Sequence, residues 1–238
     1  MHATQTFEPI HDCGTCTAKR NGFFCDLTPE AARDFEAIKS SSTYPGGSVL
    51  FLEKDPFRGV FLLCKGRIKL SISSSGGKTL ILRMVRPGEV LGLMAAISGT
   101  PYEATAEAME PCQMAFIRSD DFTRFIHKYP EVYRSMVRQM SSQYFGTCQQ
   151  IRTIALSASS RQKLARLLLE WSADGRETSE GTRISVPLTH EQIAECVGST
   201  RETVTRILSE FKNRHLVALR GATIVIPDRS ALAAIGGE

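Results

Sequence analysis

The sequence predicts an α+β protein from three successive patterns. Short strands broken by glycine turns run from Thr43 to Arg118, one long amphipathic helix begins near Pro130, and two short helices followed by two short strands lie between Leu188 and Ile226. At 238 residues the chain is long enough for two domains, each with its own core. No apolar run reaches the length of a membrane span and Met1–Asp12 has no signal-like segment, so a cytoplasmic protein is expected, with no membrane partner. The net charge of +4 is mild, and from residue 158 onward 11 Lys and Arg face 10 Asp and Glu. A nucleic-acid partner must therefore be argued from where the arginines stand, not from overall basicity. The five histidines have no spacing that pairs a nucleophile with a base, and no phosphate-binding glycine loop is present, so an enzyme finds no support.

Residues 1–27 carry Cys13, Cys16 and Cys25 among glycine, lysine and arginine with little apolar periodicity, which predicts a loop. Thr28, Pro29 and Glu30 have the order of an N-cap, a first-turn proline and an early acid, so a helix is expected to run to about Lys39. Strands are predicted at 48–53, 60–64, 67–73, 79–85, 104–109 and 113–117, with Gly46-Gly47, Gly66, Gly76-Gly77 and Pro87-Gly88 at the breaks. Many short strands with glycine turns indicate an antiparallel barrel or roll, which makes 28–129 one domain.

From 130 to 156, Tyr133, Val137, Met140, Tyr144, Thr147, Ile151 and Ile154 recur at alternating four- and three-residue spacing. This seam predicts a parallel homodimer, with Thr147 as its one polar position. The alternative is that the stripe packs on the chain's own strands. Ser157–Ser160 reads as a hinge, and the helix from Arg161 to Ser172, with Trp171 as a packing residue, opens a last domain at 157–238.

Thr189 with Gln192 forms a capping-box pattern, Ile193, Ala194 and Val197 supply an apolar side, and Gly198 ends that helix. Ser199 or Thr200 caps a second helix in which Val204, Ile207, Leu208 and Phe211 face inward. Thr200, Arg201, Glu202, Thr205 and Arg206 then stand near its open N-terminal end, the part of a recognition helix that meets base edges in the major groove. An arginine fork matches guanine O6 and N7, and a carboxylate accepts from cytosine N4, so double-stranded DNA is the expected partner. The competing reading is a helical hairpin in which Glu202 and Arg206 form a surface pair. Val217–Ile226, two short strands around Arg220-Gly221, reads as a wing.

The run GSTRETVTRILSEFKNRHLVALRGATIVI resembles the C-terminal DNA-binding domain of the CRP/FNR superfamily of bacterial transcription regulators. FLLCKGRIKL at 61–70 and RPGEVLG at 86–92 resemble that superfamily's sensor, a double-stranded β-roll of the cyclic-nucleotide-binding kind. The resemblance implies a dimeric regulator that reads two-fold half-sites and meets RNA polymerase. Arg201, Glu202 and Arg206 match the spacing of readers of GTGA-type half-sites, and Thr205 replaces the serine usual in the FNR branch, so a CRP-like or mixed half-site is expected.

Seven cysteines, an odd count at these spacings, do not suggest a disulfide framework. Cys13, Cys16 and Cys25 offer three soft-metal ligands from one segment. Similarity to FNR-like oxygen sensors implies Cys112 as the fourth and a [4Fe–4S] cluster as the cofactor, although the gap between Cys16 and Cys25 is longer than in the best-known pattern. Zinc, a thiol switch, haem or another small ligand are the alternatives. Cys64, Cys148 and Cys196 read as packing residues. Cyclic-nucleotide binding is disfavoured: where such receptors of the superfamily carry an arginine next to serine or threonine, this chain has Tyr102-Glu103-Ala104-Thr105, with no arginine between Arg86 and Arg118.

Overall fold

The computed structural model describes Phe24, residues 27–173 and residues 175–237, so Cys13, Cys16 and Cys25 lie outside the described residues. By contact the chain divides into an N-terminal unit, 1–72 with 82–146, and a C-terminal unit, 73–81 with 147–238. No helix among the described residues is long and apolar enough to cross a membrane.

The N-terminal unit begins with α1 (Pro29–Ile38), where the Thr28 hydroxyl accepts from the Ala31 N–H at 3.3 Å and proline occupies the first turn, as the sequence order predicts. Strands β1 (Ser40–Tyr44), β2 (Val49–Phe51), β3 (Gly59–Lys65), β4 (Ile68–Ser73), β5 (Thr79–Val85) and β6 (Val90–Leu91) follow, then the short helix α2 (Leu93–Ser98), β7 (Thr105–Ala108) and β8 (Cys112–Arg118). They form two four-stranded sheets, ordered β1-β8-β3-β6 and β2-β7-β4-β5. Helix α3 (Ser119–Lys128) leads into the long helix α4 (Val132–Leu156).

Alternation along β8 explains how one strand serves two cores. Cys112 and Met114 point between the sheets, where Phe51, Phe61, Leu63, Ile68 and Tyr102 fill the roll. Ala115 and Ile117 point the other way, under a layer made by Phe24, Phe35, Phe122, Phe125, Val132 and Met136. Phe24 stacks on Phe35 with ring centroids 4.1 Å apart.

Four elements here were not expected from the sequence: β1, β6, α2 and α3. β1 is the polar run Ser-Ser-Ser-Thr-Tyr, which has no apolar alternation to detect; it forms because its backbone pairs with β8 from Ser40↔Phe116 to Tyr44↔Cys112. α3 carried a legible signal, with Asp120 and Asp121 in its first turn, Lys128 in its last and Phe122, Phe125 and Ile126 buried.

The C-terminal unit contains α5 (Ser160–Ser172), β9 (Arg176–Thr178), β10 (Gly181–Ser185), α6 (His190–Val197), α7 (Arg201–Asn213), β11 (Ala218–Arg220), β12 (Thr223–Ile226) and α8 (Arg229–Gly236). Its sheet runs β11-β12-β10-β9. The expected wing is thus half of a four-stranded sheet, and β9, β10 and α8 are additions that the sequence reading lacked. Leu164, Leu168, Val197, Val204, Leu208, Phe211 and Leu232 are buried within this unit. The Ser199 hydroxyl donates to the Ser160 hydroxyl at 3.2 Å, linking the turn between α6 and α7 to the start of α5.

Candidate functional site

The helix pair is held by local chemistry. Both halves of the capping box form at α6: the Thr189 hydroxyl accepts from the Gln192 N–H at 3.2 Å, and the Gln192 side chain accepts from the Thr189 N–H at 2.9 Å. Gly198 ends α6 at φ 62°, a left-handed conformation that costs a glycine nothing. Thr200, not Ser199, caps α7, accepting from the Thr203 N–H at 3.3 Å.

On α7, Val204, Ile207, Leu208 and Phe211 are buried, while Arg201, Glu202, Thr205, Arg206 and Ser209 are exposed. The Glu202–Arg206 surface pair of the competing reading does not form among the described residues. Instead the Glu202 carboxylate turns back to the helix start, where its own backbone N–H, then the Thr200 hydroxyl and the Arg201 charge, hold its carboxyl below the ordinary glutamate range. Arg201 and Arg206 make no salt bridge among the described residues, so both forks are open to a partner. Other arginines of the unit are tied down: Arg161 to Glu210 at 2.8 Å, and Arg220 to Glu180 through two bonds of 2.8 and 3.0 Å. Thr205 is engaged by His190 Nδ1 across the helix pair at 2.8 Å. The Arg220–Glu180 pair locks the wing turn to the β9–β10 turn, and Arg220 lowers the Glu180 carboxyl accordingly.

The seven seam residues of α4 are not consumed by the chain's own core. Tyr133, Val137, Tyr144 and Ile151 are 37%, 62%, 69% and 60% exposed, and Thr147 is also exposed; Met140 and Ile154 are half-buried. The contacts with the roll use another face of the helix. Val132 and Met136 are buried there, and the Gln139 side chain bonds both the N–H and the carbonyl of Val90, at 3.0 and 2.7 Å. Phe145 and Leu156, outside the seam, are exposed as well.

Of the four expected cluster ligands, only Cys112 lies among the described residues. It is fully buried at the first position of β8, facing the roll interior, and its Sγ lies 3.3 Å from the Arg67 carbonyl and 3.1 Å from that of Glu110 as a donor. Burial pushes its thiol pKa up. Gly66, at φ 96°, packs so close that an added Cβ would lie 2.6 Å from this sulfur. A metal ligand must be a thiolate, so Cys112 would have to give up its proton and both carbonyl partners before it could ligate. Among the described residues no group of three or more His, Cys, Asp or Glu is arranged for a metal. Cys196 is buried and Cys64 half-buried, but Cys148 is exposed on α4 and is not a packing residue of this chain. Tyr102, in the segment where a cyclic phosphate would need a cation, is buried, stacked on Phe51 at 3.9 Å and donating its hydroxyl to the Gly59 carbonyl at 2.7 Å.

Two family models match the chain, the cyclic nucleotide-binding domain over residues 42–129 and the Crp-like helix-turn-helix domain over 162–235. Among curated relatives, the global nitrogen regulator of Synechococcus elongatus is 29% identical over 78% of this chain and 85% of the relative. The CRP-like cAMP-activated global transcriptional regulator of Mycobacterium tuberculosis is 22% identical over 90% and 96%. Among solved structures, FixK2 from Bradyrhizobium japonicum superposes with a TM-score of 0.72 at 20% identity, covering 83% of this chain and 97% of that one. A CooA variant from Carboxydothermus hydrogenoformans gives 0.74 at 20% identity over 89% and 91%. With a β-roll matching the cyclic nucleotide-binding domain followed by a Crp-like helix-turn-helix, the chain is a DNA-binding transcription regulator of the CRP/FNR family.

Proposed function

We propose that the protein is a homodimer, paired along the α4 seam, that reads two DNA half-sites with α7. Arg201 and Arg206 contact base edges, Thr200 and Thr205 position the helix start, and Glu202 reads a cytosine after leaving the helix N-terminus. The observation that carries this reading is the sorting of α7, with four apolar residues inside and two exposed arginines outside that make no salt bridge among the described residues. The resemblance of this helix to GTGA-type readers supports a CRP-like or mixed half-site. RNA polymerase is the expected further partner of such a regulator.

The test is binding by Arg206→Ala to a duplex selected from a random pool, measured by fluorescence anisotropy beside a scrambled duplex. A base-reading arginine predicts a loss of about 1–3 kcal/mol on the selected duplex with relaxed discrimination at one base pair. Equal loss on both duplexes assigns the arginine to phosphates and overturns the reading.

We further propose that the effector end responds to oxygen or redox state through a [4Fe–4S] cluster held by Cys13, Cys16, Cys25 and Cys112. The support is the N-terminal thiol trio and the superfamily position of Cys112. Against it stands the present geometry, because Cys112 has to lose its proton and leave two carbonyl partners before it can ligate. Such a cluster, when bound, supplies a tie that oxygen or nitric oxide dismantles. A second reading, an effector that is a small ligand, is favoured by the match of residues 42–129 to the cyclic nucleotide-binding domain; zinc, a thiol redox switch and haem are the remaining alternatives. The Phe51–Tyr102 stack and the lack of an arginine from 87 to 117 argue against a cyclic phosphate as that ligand. The visible spectrum with iron and sulfide content of anaerobically purified protein separates these readings.

A further inference from the structure

The C-terminal unit contains a cleft of about 420 Å³ that the DNA-reading face does not use. Arg152 and Thr153 of α4, Arg166 of α5, and Arg229 and Ser230 of α8 line it, with Glu170 as its one carboxylate. It lies on the far side of α5 from the recognition helix. Arg161 of α5 reaches Glu210 of α7, whereas Arg166, five residues on and about 140° round the helix, donates Nε to the Gly236 carbonyl of α8 at 2.7 Å. That bond uses one of the five donors of Arg166. Arg152 and Arg229 make no salt bridge among the described residues.

Three guanidinium groups around one concavity repel one another, and a single carboxylate leaves an excess of positive charge there. Arginine forks match phosphate oxygens two at a time. The Thr153 and Ser230 hydroxyls and the Gln149 amide add neutral donors, and Leu169 and Ala233 supply an apolar wall. The volume is in the range of small-molecule sites, ~300–1,000 Å³.

We propose that this cleft binds a compact phosphate-bearing small molecule, of the pyrophosphate or nucleotide kind. A ligand held there bridges the end of α4 to α5 and α8 across the Ser157–Ser160 connection. The buried Ser157 hydroxyl has no hydrogen-bond partner among the described residues, which suits a connection whose geometry a ligand resets. Occupancy would therefore alter DNA affinity without touching α7.

The experiment is calorimetric titration of the full-length protein with pyrophosphate in chloride buffer. One saturable site per chain is expected. Loss of one charge-assisted phosphate contact in Arg152→Gln or Arg229→Gln should weaken it about tenfold, while Arg183→Gln, exposed on β10, should leave it unchanged. Both side chains are exposed, and far-UV circular dichroism verifies that the variants fold. Hydrogen exchange gives an independent readout, with slowing expected at 149–153 and 229–233. No saturable binding at millimolar pyrophosphate, undiminished binding in the double variant, or slowing confined to α7 overturns the proposal. An apparent pyrophosphate Kd that rises without limit as the selected duplex is added, instead of levelling off as linkage between two sites requires, would reassign the cleft to backbone phosphates and overturn the small-molecule reading.

Discussion

Val137→Glu separates dimerisation from folding on α4. Val137 is 62% exposed in the chain, so its own unit loses little when it is replaced. Full burial of a valine contributes about 1.5–3 kcal/mol, so covering the exposed 62% in a dimer contributes about 1–2 kcal/mol per protomer and about 2–4 kcal/mol per pair. The glutamate adds the cost of an unpaired carboxylate at the seam. The dimer constant should weaken by roughly thirty- to several-hundredfold from the lost apolar area alone, at 1.4 kcal/mol per factor of ten. Sedimentation equilibrium at micromolar concentration reads this directly, with far-UV circular dichroism verifying that the monomer stays folded. DNA affinity should fall with it, because dimer formation is linked to site occupancy. A Val137→Glu protein that still sediments as a dimer with unchanged constant would refute the seam. Met136→Ala is the control on the adjacent face: buried against the roll at 2% exposure, it should lower the stability of the protomer by about 2–5 kcal/mol.

Further outcomes follow from the other sites. Phe211 is fully buried under α7, and Phe211→Ala should destabilise the C-terminal unit by about 3–5 kcal/mol in a thermal or urea melt; an unchanged melt would mean that the inward face of α7 is misassigned. If a cluster forms, serine at Cys13, Cys16, Cys25 or Cys112 should remove iron and sulfide from anaerobic preparations, whereas serine at Cys64, Cys148 or Cys196 should not. Retention of the chromophore in Cys112→Ser would exclude Cys112 as a ligand.

What the sequence determined by itself is what local chemistry determines. The Thr28 and Thr189 caps, the Gly198 break and the four-residue inward face of α7 are set within a few residues, and the structure bears them out. The order of a β-roll, a long helix and a helix-turn-helix with a strand pair is equally legible, because apolar periodicity changes between segments. Other features depend on groups far apart in sequence. β1 exists because β8, about seventy residues away, supplies its hydrogen-bond partners. The wing arginine is not free because Glu180, forty residues earlier, binds it through a hairpin whose three- and five-residue strands are too short to announce themselves. Nothing near Cys112 in the chain says that the Gly66 turn closes over its sulfur, or that the carbonyl of Arg67 accepts its S–H hydrogen bond. The arginines of the α4–α5–α8 cleft converge only when three helices meet, since no local pattern places residues 152, 166 and 229 together. Caps and helix faces are short-range consequences of backbone geometry, whereas burial, partner choice and the convergence of charge are properties of packing.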